Sequence, residues 1–531
     1  VRPSRDELRW LVVIVLAAIV LRVAWVLELA TFPWWVSPPS DSLVYEDAAM
    51  RLASGAMGAG ERLPIMSPGY FVLLGGVYRV LGTDPWAPRV LQLVAGAVTV
   101  IATWTVARRV VPWRGALVAA ALVAFSGPMV FFDGVVLPDS LAACAQIALV
   151  WLALRAIERG TVTRWAAVGA MLAALAWLRP NVLLELAVLV PAPFFAPGDA
   201  SRAARARHAT AVLLAAMLAL APLSLGALTG RGADVGGPAA LNLFLGNGPG
   251  ANGAYRVPPE APGADSPVTQ LAGFHRAAER ALGRELSPRE ADRYWTQRTI
   301  DHVVAQPDAW LVLMARKVHL FFNAAELGAV FPYDFVREST RTIGAPLVQT
   351  GWIAPFALVG MLVGLFGSRQ DPVFVVAAIA ATFVLSVIVA FVTDRYRVVI
   401  VPVLSVLAVF GVERLARAWG DRRRFGLLGL ATVLAIVVAI PVRGDAHFER
   451  QWAVLGDAFA SSGEPDRAIE AYDRALAIDA ELIDARIGRA LALAAMGRRD
   501  EARAALEAAR AIARDEEGRA HVERALEVLS R

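Results

Sequence analysis

The sequence predicts an all-α integral membrane protein with a small soluble helical domain at its C-terminal end. Three observations predict it. Of 531 residues, 57% are hydrophobic and only 19% charged, whereas an average soluble domain is roughly a quarter charged. The apolar residues gather into charge-free blocks such as Leu11 to Val20, Leu117 to Phe125 and Leu427 to Ile440. A run of about 20 apolar residues is what it takes to cross roughly 30 Å of hydrocarbon. From about residue 449 the chain turns charged and Ala-rich, and it repeats with a period of 34 residues.

Taken in order, candidate spans lie near 10–30, 87–107, 115–132, 140–157, 164–178, 181–196, 209–228, 347–366, 373–392, 396–414 and 425–442, about eleven by the length rule. The first, Trp10 to Ala30, is too long for the core of a signal peptide and lacks a clear small-residue cleavage site, so it is expected to be a retained span. The 164–178 and 181–196 pair is short and joined by Arg179-Pro180-Asn181, which predicts a tight hairpin. Pro68 to Gly82 is apolar but only about 15 residues long, a length typical of interfacial segments.

Charge decides the topology. If Pro68 to Gly82 does not span, then Arg5/Arg9, Arg108/Arg109/Arg114, Arg155/Arg159/Arg164, Arg202/Arg205/Arg207 and Arg414/Arg417/Arg422/Arg423/Arg424 all fall on one side. The positive-inside rule makes that side cytoplasmic. The N-terminus is then cytoplasmic. Residues 31–86, 133–139 and 229–346, the Asp394–Arg397 turn and everything after 443 are then extracytoplasmic. The 229–346 stretch is rich in Gly and Pro from Gly230 to Pro267, then charged and helical from Phe274 to Gln306. Its last part, Trp310 to Phe322, carries Arg316, Lys317 and His319 in an amphipathic run expected along the membrane surface.

The tail divides the chain into a membrane domain, 1–444, and a repeat domain, 445–531. Its first unit has Trp452, Leu455, Gly456, Phe459, Gly463, Ala468, Tyr472 and Ala475; the second has Ala490, Leu493, Gly497, Ala502, Leu506 and Ala509. Small residues recur where two helices cross and large ones fill the gaps, which resembles the tetratricopeptide repeat. Arg486 and Arg489 depart from the pattern, standing where the first unit has Trp452 and Leu455. A last helix near 516–529 is expected to cap the stack, and such arrays mostly present binding surfaces rather than catalytic ones.

Composition excludes several classes. The single cysteine, Cys144, rules out a disulfide framework or a cysteine-based metal site within one chain. The net charge of +5 comes from arginines between spans, so it reflects topology rather than nucleic-acid binding. The histidines are few and not spaced as ligands, which argues against a dedicated zinc site.

The candidate site residues are the ionisable groups at the outer face, because charge at membrane depth is costly and usually functional. Asp41, in Ser40-Asp41-Ser42-Leu43-Val44-Tyr45, follows the first span; capping the next helix is an equal alternative. Asp139, in Leu137-Pro138-Asp139-Ser140, opens a span, where it also suits the helix dipole; Asp133 is close by in sequence. Together, two carboxylates can divide acceptor activation from substrate or metal binding. The basic candidates are Arg179 at the hairpin tip, Lys317 in the interfacial run, and Arg395 and Arg397 flanking Tyr396. Positive charge there runs against the topology rule, and an anionic lipid head group supplies a reason for it. Snorkelling from span ends is the plainer account.

These motifs resemble the GT-C glycosyltransferases, specifically the bacterial relatives of protein O-mannosyltransferases and of the aminoarabinose transferase of lipid A, over roughly residues 8–442. Asp41 with Tyr45, Ala48 and Gly55 is similar to the family's first-loop motif. Ser67-Pro68-Gly69-Tyr70 resembles its interfacial helix, Leu137-Pro138-Asp139 its second acidic motif, and Leu178-Arg179-Pro180-Asn181 its basic hairpin tip. Asp394-Arg395-Tyr396-Arg397 with Pro402 resembles an Arg-Tyr-Arg signature of bacterial members.

The resemblance implies transfer of a sugar from a polyprenyl-phosphate carrier to an acceptor hydroxyl on protein, lipid or envelope glycan, at the outer face of the bacterial cytoplasmic membrane. It implies Asp41 and Asp139 as the catalytic carboxylates. Tyr45, Arg179, Lys317, Arg395, Tyr396 and Arg397 would hold the carrier phosphate and substrate. A divalent cation at Asp139 is used by some members, and a protein partner or acceptor at the repeats fits the layout. The chain departs from the family in having Asp-Ser where many members have Asp-Glu, and in lacking the large insert of the protein mannosyltransferases. The rival readings are a flippase or transporter of lipid-linked sugars, which predicts internal repeats and mid-span polar groups, and a non-catalytic scaffold acting through its repeats.

Overall fold

A computed structural model describes residues 3–35, 41–57, 67–228, 237–258, 260–261, 269–328, 332–417, 423–440, 442, 448–513 and 516–530. Among these the regular structure is helical, apart from isolated bridges between Ser126 and Val348 and between Ala254 and Val392. The chain forms two compact units, Val1–Val26 with Pro39–Val442 and Leu27–Pro38 with Arg443–Arg531. The division expected at 444/445 lies outside the described residues, as do 230–236, 259 and 262–267 of the Gly/Pro-rich stretch.

The first unit opens with α1 (Arg5–Leu29), α2 (Asp41–Ser54), α3 (Pro68–Leu81), α4 (Trp86–Ala107), α5 (Trp113–Ala124), α6 (Gly127–Gly134), α7 (Asp139–Glu158) and α8 (Val162–Leu178). Helices α1, α4 and α7, with Arg202–Pro222 and Pro372–Val389, are long and apolar enough to cross a membrane. Helices α3, α5 and α8, with Pro180–Phe195, Thr350–Leu365 and Leu428–Ala439, are apolar but shorter. The expected fold class is met: an all-α, multi-pass membrane unit followed by helical repeats.

Proline and glycine explain where observed helices are shorter than the expected spans. The 115–132 span breaks into α5 and α6 at Ser126-Gly127-Pro128. Ser126 Oγ caps α6 by accepting from the Met129 amide at 3.4 Å, and the Gly127 amide leaves the helix to donate to Val348 O at 2.9 Å. The 181–196 span is a 3-10 turn, Pro180–Glu185, followed by two four-residue helices, Leu186–Leu189 and Ala192–Phe195, because Pro191 and Pro193 each lack the amide a longer helix needs. The 396–414 span is a short helix, Asp394–Val398, and then Val401–Arg417 with Pro402 in its first turn. At about 1.5 Å per residue, the 14 residues of α3 reach only about 21 Å, short of the hydrocarbon thickness.

Small residues let these helices approach closely. Gly360 on Thr350–Leu365 and Gly411 on Val401–Arg417 lie against each other's backbone, leaving no room for a Cβ.

In the second unit, helices Glu449–Ser461, Pro465–Ile478, Ile483–Ala495, Arg499–Ile512 and Glu516–Ser530 follow one another. Gly456 lies where a Cβ would come within 2.6 Å of the Tyr472 ring, and Tyr472 donates to Asp457 at 2.6 Å. Leu493, Ala502, Leu506 and Ala509 bury with Val522, Ala525 and Leu529 of the last helix, so that helix closes the core of the second repeat. Arg489, replacing the apolar Leu455 of the first unit, reaches Asp473 at 2.6 Å at the surface. Phe32, just after α1, packs in this unit with its ring centroid 6.5 Å from that of Phe459.

Candidate active site

Four chain segments bring the candidate residues together. Asp41 begins α2 and Asp139 begins α7, where helix N-termini favour carboxylates. Arg179 is the C-cap of α8, whose last turn is ended by Pro180. Arg395 lies on the short Asp394–Val398 helix, which cannot run on smoothly because of Pro402.

Arg395 Nη1 donates to Asp41 Oδ2, and Arg179 Nη2 donates to Asp139 Oδ1. Arg395 Nε lies 3.6 Å from Asp139 Oδ2, close enough for charge attraction but too long for a hydrogen bond. The order Asp41, Arg395, Asp139, Arg179 therefore alternates in sign, and all four are buried. Alternation is what makes such burial tolerable, since an unmatched ion would cost several kcal/mol. The Arg179 guanidinium also sits 4.8 Å over the Tyr396 ring, a cation–π contact.

Tyr45, one turn along α2 from Asp41, is buried with its ring edge-on to Tyr70 at 5.1 Å. Burial pushes its phenol up to about 12, while the positive charges of Arg395 and Arg179 pull it back. It therefore stays a neutral hydroxyl beside the charged cluster.

A buried polar frame holds the loop that leads to Asp139. Arg22 Nε pairs with Asp133 Oδ2 at 2.6 Å, and Ser140 Oγ donates to Asp133 Oδ1. Gly96 on α4 makes room for this pair, since a Cβ there would lie 2.5 Å from Asp133 Oδ2 and 2.8 Å from Arg22 Nε. Gln92 Nε2 donates to the carbonyls of Phe132, Asp133 and Val135 at 3.1, 3.2 and 2.6 Å, and its Oε1 accepts from Tyr70 at 2.8 Å. One side chain thus ties α3 to the loop that leads to Asp139. Sequence reasoning missed Arg22 and Gln92. Arg22 carried a readable signal: a charge inside an apolar span calls for a partner.

Lys317 and Arg397 turn elsewhere. Lys317 Nζ donates to Asn247 Oδ1 at 2.9 Å and to Ala390 O at 2.6 Å, and burial brings its amine down to about 7. Arg397 donates to Ala325 O at 2.7 Å and Asn323 O at 2.8 Å, with Glu326 3.6 Å away. Among the described residues no group of three or more His, Cys, Asp or Glu is placed to hold a metal ion. Asp41 and Asp139 face guanidinium groups, so the described residues here do not offer a divalent cation a donor set.

Residues 65–225 match the family model of dolichyl-phosphate-mannose-protein mannosyltransferases. Residues 459–526 match that of the tetratricopeptide repeat. Both resemblances read from the sequence are borne out. The first match contains Asp139 and Arg179; Asp41 and Arg395 lie outside it.

Solved structures similar to the chain include the archaeal oligosaccharyltransferase AglB from Archaeoglobus fulgidus in complex with an inhibitory peptide and a dolichol-phosphate, at 14% identity over 87% of this chain and 59% of that one, TM-score 0.43. The apo form of the Archaeoglobus fulgidus enzyme matches at 14% identity over 88% and 59%, TM-score 0.45. ArnT from Cupriavidus metallidurans bound to undecaprenyl phosphate matches at 15% identity over 92% and 79%, TM-score 0.35. The chain spans 59% of the length of the archaeal structures. Comparison with curated protein sequences finds no match.

Proposed function

We propose that the protein is a glycosyltransferase that moves a sugar from a polyprenyl-phosphate carrier to an acceptor hydroxyl, at the outer face of a bacterial cytoplasmic membrane. One observation carries the reading: carboxylates at the starts of two separate helices meet two guanidinium groups in a single buried cluster. The match of residues 65–225 to a mannosyltransferase family supports it. The reaction inverts the anomeric carbon. As the acceptor oxygen bonds to that carbon, the bond to the carrier phosphate oxygen breaks and the electron pair leaves with the phosphate. Asp41 takes the acceptor proton, and Arg395 and Arg179 neutralise charge growing on the phosphate. Asp139 holds both arginines in place. Lys317 and Arg397, whose Nζ and Nη groups donate to an amide oxygen and to backbone carbonyls, support the walls of the site. The repeat unit, read as extracytoplasmic from the charge pattern, would recruit an acceptor or a partner protein.

The test is mass spectrometry of envelope glycans, glycolipids and glycoproteins from cells with and without the protein. One sugar-bearing species should vanish without it, and Asp41→Asn should fail to restore it, with transfer down by about 10²–10⁴. Full restoration by Asp41→Asn would reject the assigned role.

A further inference from the structure

The carboxylate proposed to accept the proton is not free. Asp41 Oδ2 is taken by Arg395 Nη1. A carboxylate oxygen that already accepts from a guanidinium has that acceptor site occupied, and an incoming hydroxyl cannot use it. The carrier phosphate needs the same guanidinium face, since planar paired donors suit phosphate as well as carboxylate. Asp41 and the phosphate therefore compete for Arg395.

The cluster is balanced in charge but incomplete in hydrogen bonding. Arg395 Nε, Arg179 Nε and Asp139 Oδ2 are buried without a hydrogen-bond partner. Two of these are donors, on the two arginines, and neither donates to a backbone carbonyl. A phosphate oxygen entering the cluster finds these two donors without a hydrogen bond. Asp139 keeps Arg179 and attracts Arg395 from 3.6 Å, so Arg395 can leave Asp41 without losing all compensation.

We infer that the cluster is a latch which the carrier phosphate opens: the phosphate draws Arg395 away from Asp41, and only then does Asp41 become available to the acceptor hydroxyl. The inference rests on the transferase reading and adds an order to it, with lipid-linked donor first and acceptor second. An acceptor arriving alone meets a carboxylate already neutralised, which protects against premature chemistry. The exchange is one of hydrogen-bond partners and changes no covalent bond.

The experiment measures binding of dodecyl phosphate to the full-length protein in detergent, by tryptophan fluorescence. Asp41→Asn removes the competitor and leaves Arg395 in need of an anion. Affinity should rise on the order of tenfold, about 1.4 kcal/mol. Asp47→Asn is the control. It removes a charge exposed on the same helix, at a surface where charges are largely screened, and should change affinity by less than about twofold.

Hydrogen–deuterium exchange gives a second readout that needs no variant. Dodecyl phosphate should increase uptake over residues 41–45 of the unmodified protein as the hold on α2 is released. Unchanged or weaker binding in Asp41→Asn, or no change in exchange, overturns the latch and leaves the transferase reading standing. Failure of every form to bind dodecyl phosphate overturns the carrier site itself, and the latch with it. A gain in Asp41→Asn seen with inorganic phosphate and not with dodecyl phosphate overturns the assignment of the opening ligand to a lipid carrier.

Discussion

Arg395 and Arg397 stand two residues apart on one short helix, and both are buried. Their partners differ in kind. Arg397 donates to backbone carbonyls of Asn323 and Ala325, with the Glu326 carboxylate alongside. Arg395 donates to Asp41 and leans toward Asp139, side chains that come from two other helices. Carbonyls in a packed loop stay where they are, whereas carboxylates on separate helices can release a guanidinium to another anion. The pair teaches that burial and residue type do not tell a structural arginine from a ligand-handling one; the mobility of the partner does. The same contrast separates Arg179, which donates to the Asp139 carboxylate, from Lys317, which is held by Asn247 and Ala390 O.

The sharpest way to break this comparison is to remove each arginine in turn. Arg397→Gln should cost the fold most. It strips donors from the 320–326 segment and deprives buried Glu326 of its paired guanidinium, a loss of about 3–5 kcal/mol. Thermal unfolding in detergent should shift well down, and transfer should fall only in step with folded protein. Arg395→Gln should differ in its effect on transfer. It leaves Asp41 without its guanidinium while Arg179 still covers Asp139, so unfolding should shift down as well, but transfer per folded molecule should also drop about 10²–10³-fold. Equal effects of the two variants on both measurements would dissolve the distinction.

The fold class was legible because hydropathy and the repeat period depend on composition along the chain, which a sequence displays directly. The interfacial placing of Pro68 to Gly82 came from charge sidedness, and the 14-residue length of α3 agrees with it. The meeting of Asp41, Asp139, Arg179, Arg395 and Tyr396 followed from short motifs sharing one side. What stayed hidden was how donors are spent. Lys317 and Arg397 read as free outer cations, but nothing in one sequence states that Ala390 O or Asn323 O lies within their reach. Arg22 was passed over because its partner, Asp133, is 111 residues away. Helix breaks at Gly127-Pro128 and Pro191 were visible as residues, yet hydropathy averaging over a span-length window smooths them away.

A smaller effect sharpens the same contrast from the side of protonation. Glu46 on α2 and Lys317 are both buried ionisable groups away from the Asp41 pairings, and burial shifts both toward neutrality. Glu46 rises to about 7, with Arg89 opposing the shift, and Lys317 falls to about 7. The consequences for stability have opposite signs. Between the ordinary Glu value and about 7, folded Glu46 keeps a proton that the unfolded chain has lost, so stability falls as pH rises. Between about 7 and the ordinary Lys value, the unfolded chain keeps a proton that folded Lys317 has lost, so stability rises with pH. Together they place a shallow minimum of stability near pH 7. Thermal unfolding from pH 5 to 10 should show it. Glu46→Gln should flatten the acid limb alone, and Lys317→Met the alkaline limb alone. Each group titrates against its own surroundings, without a shared carboxylate–guanidinium network, so the two limbs should separate cleanly; a variant that alters both would mean that α2 and the Trp310 to Phe322 run are coupled through the cluster between them.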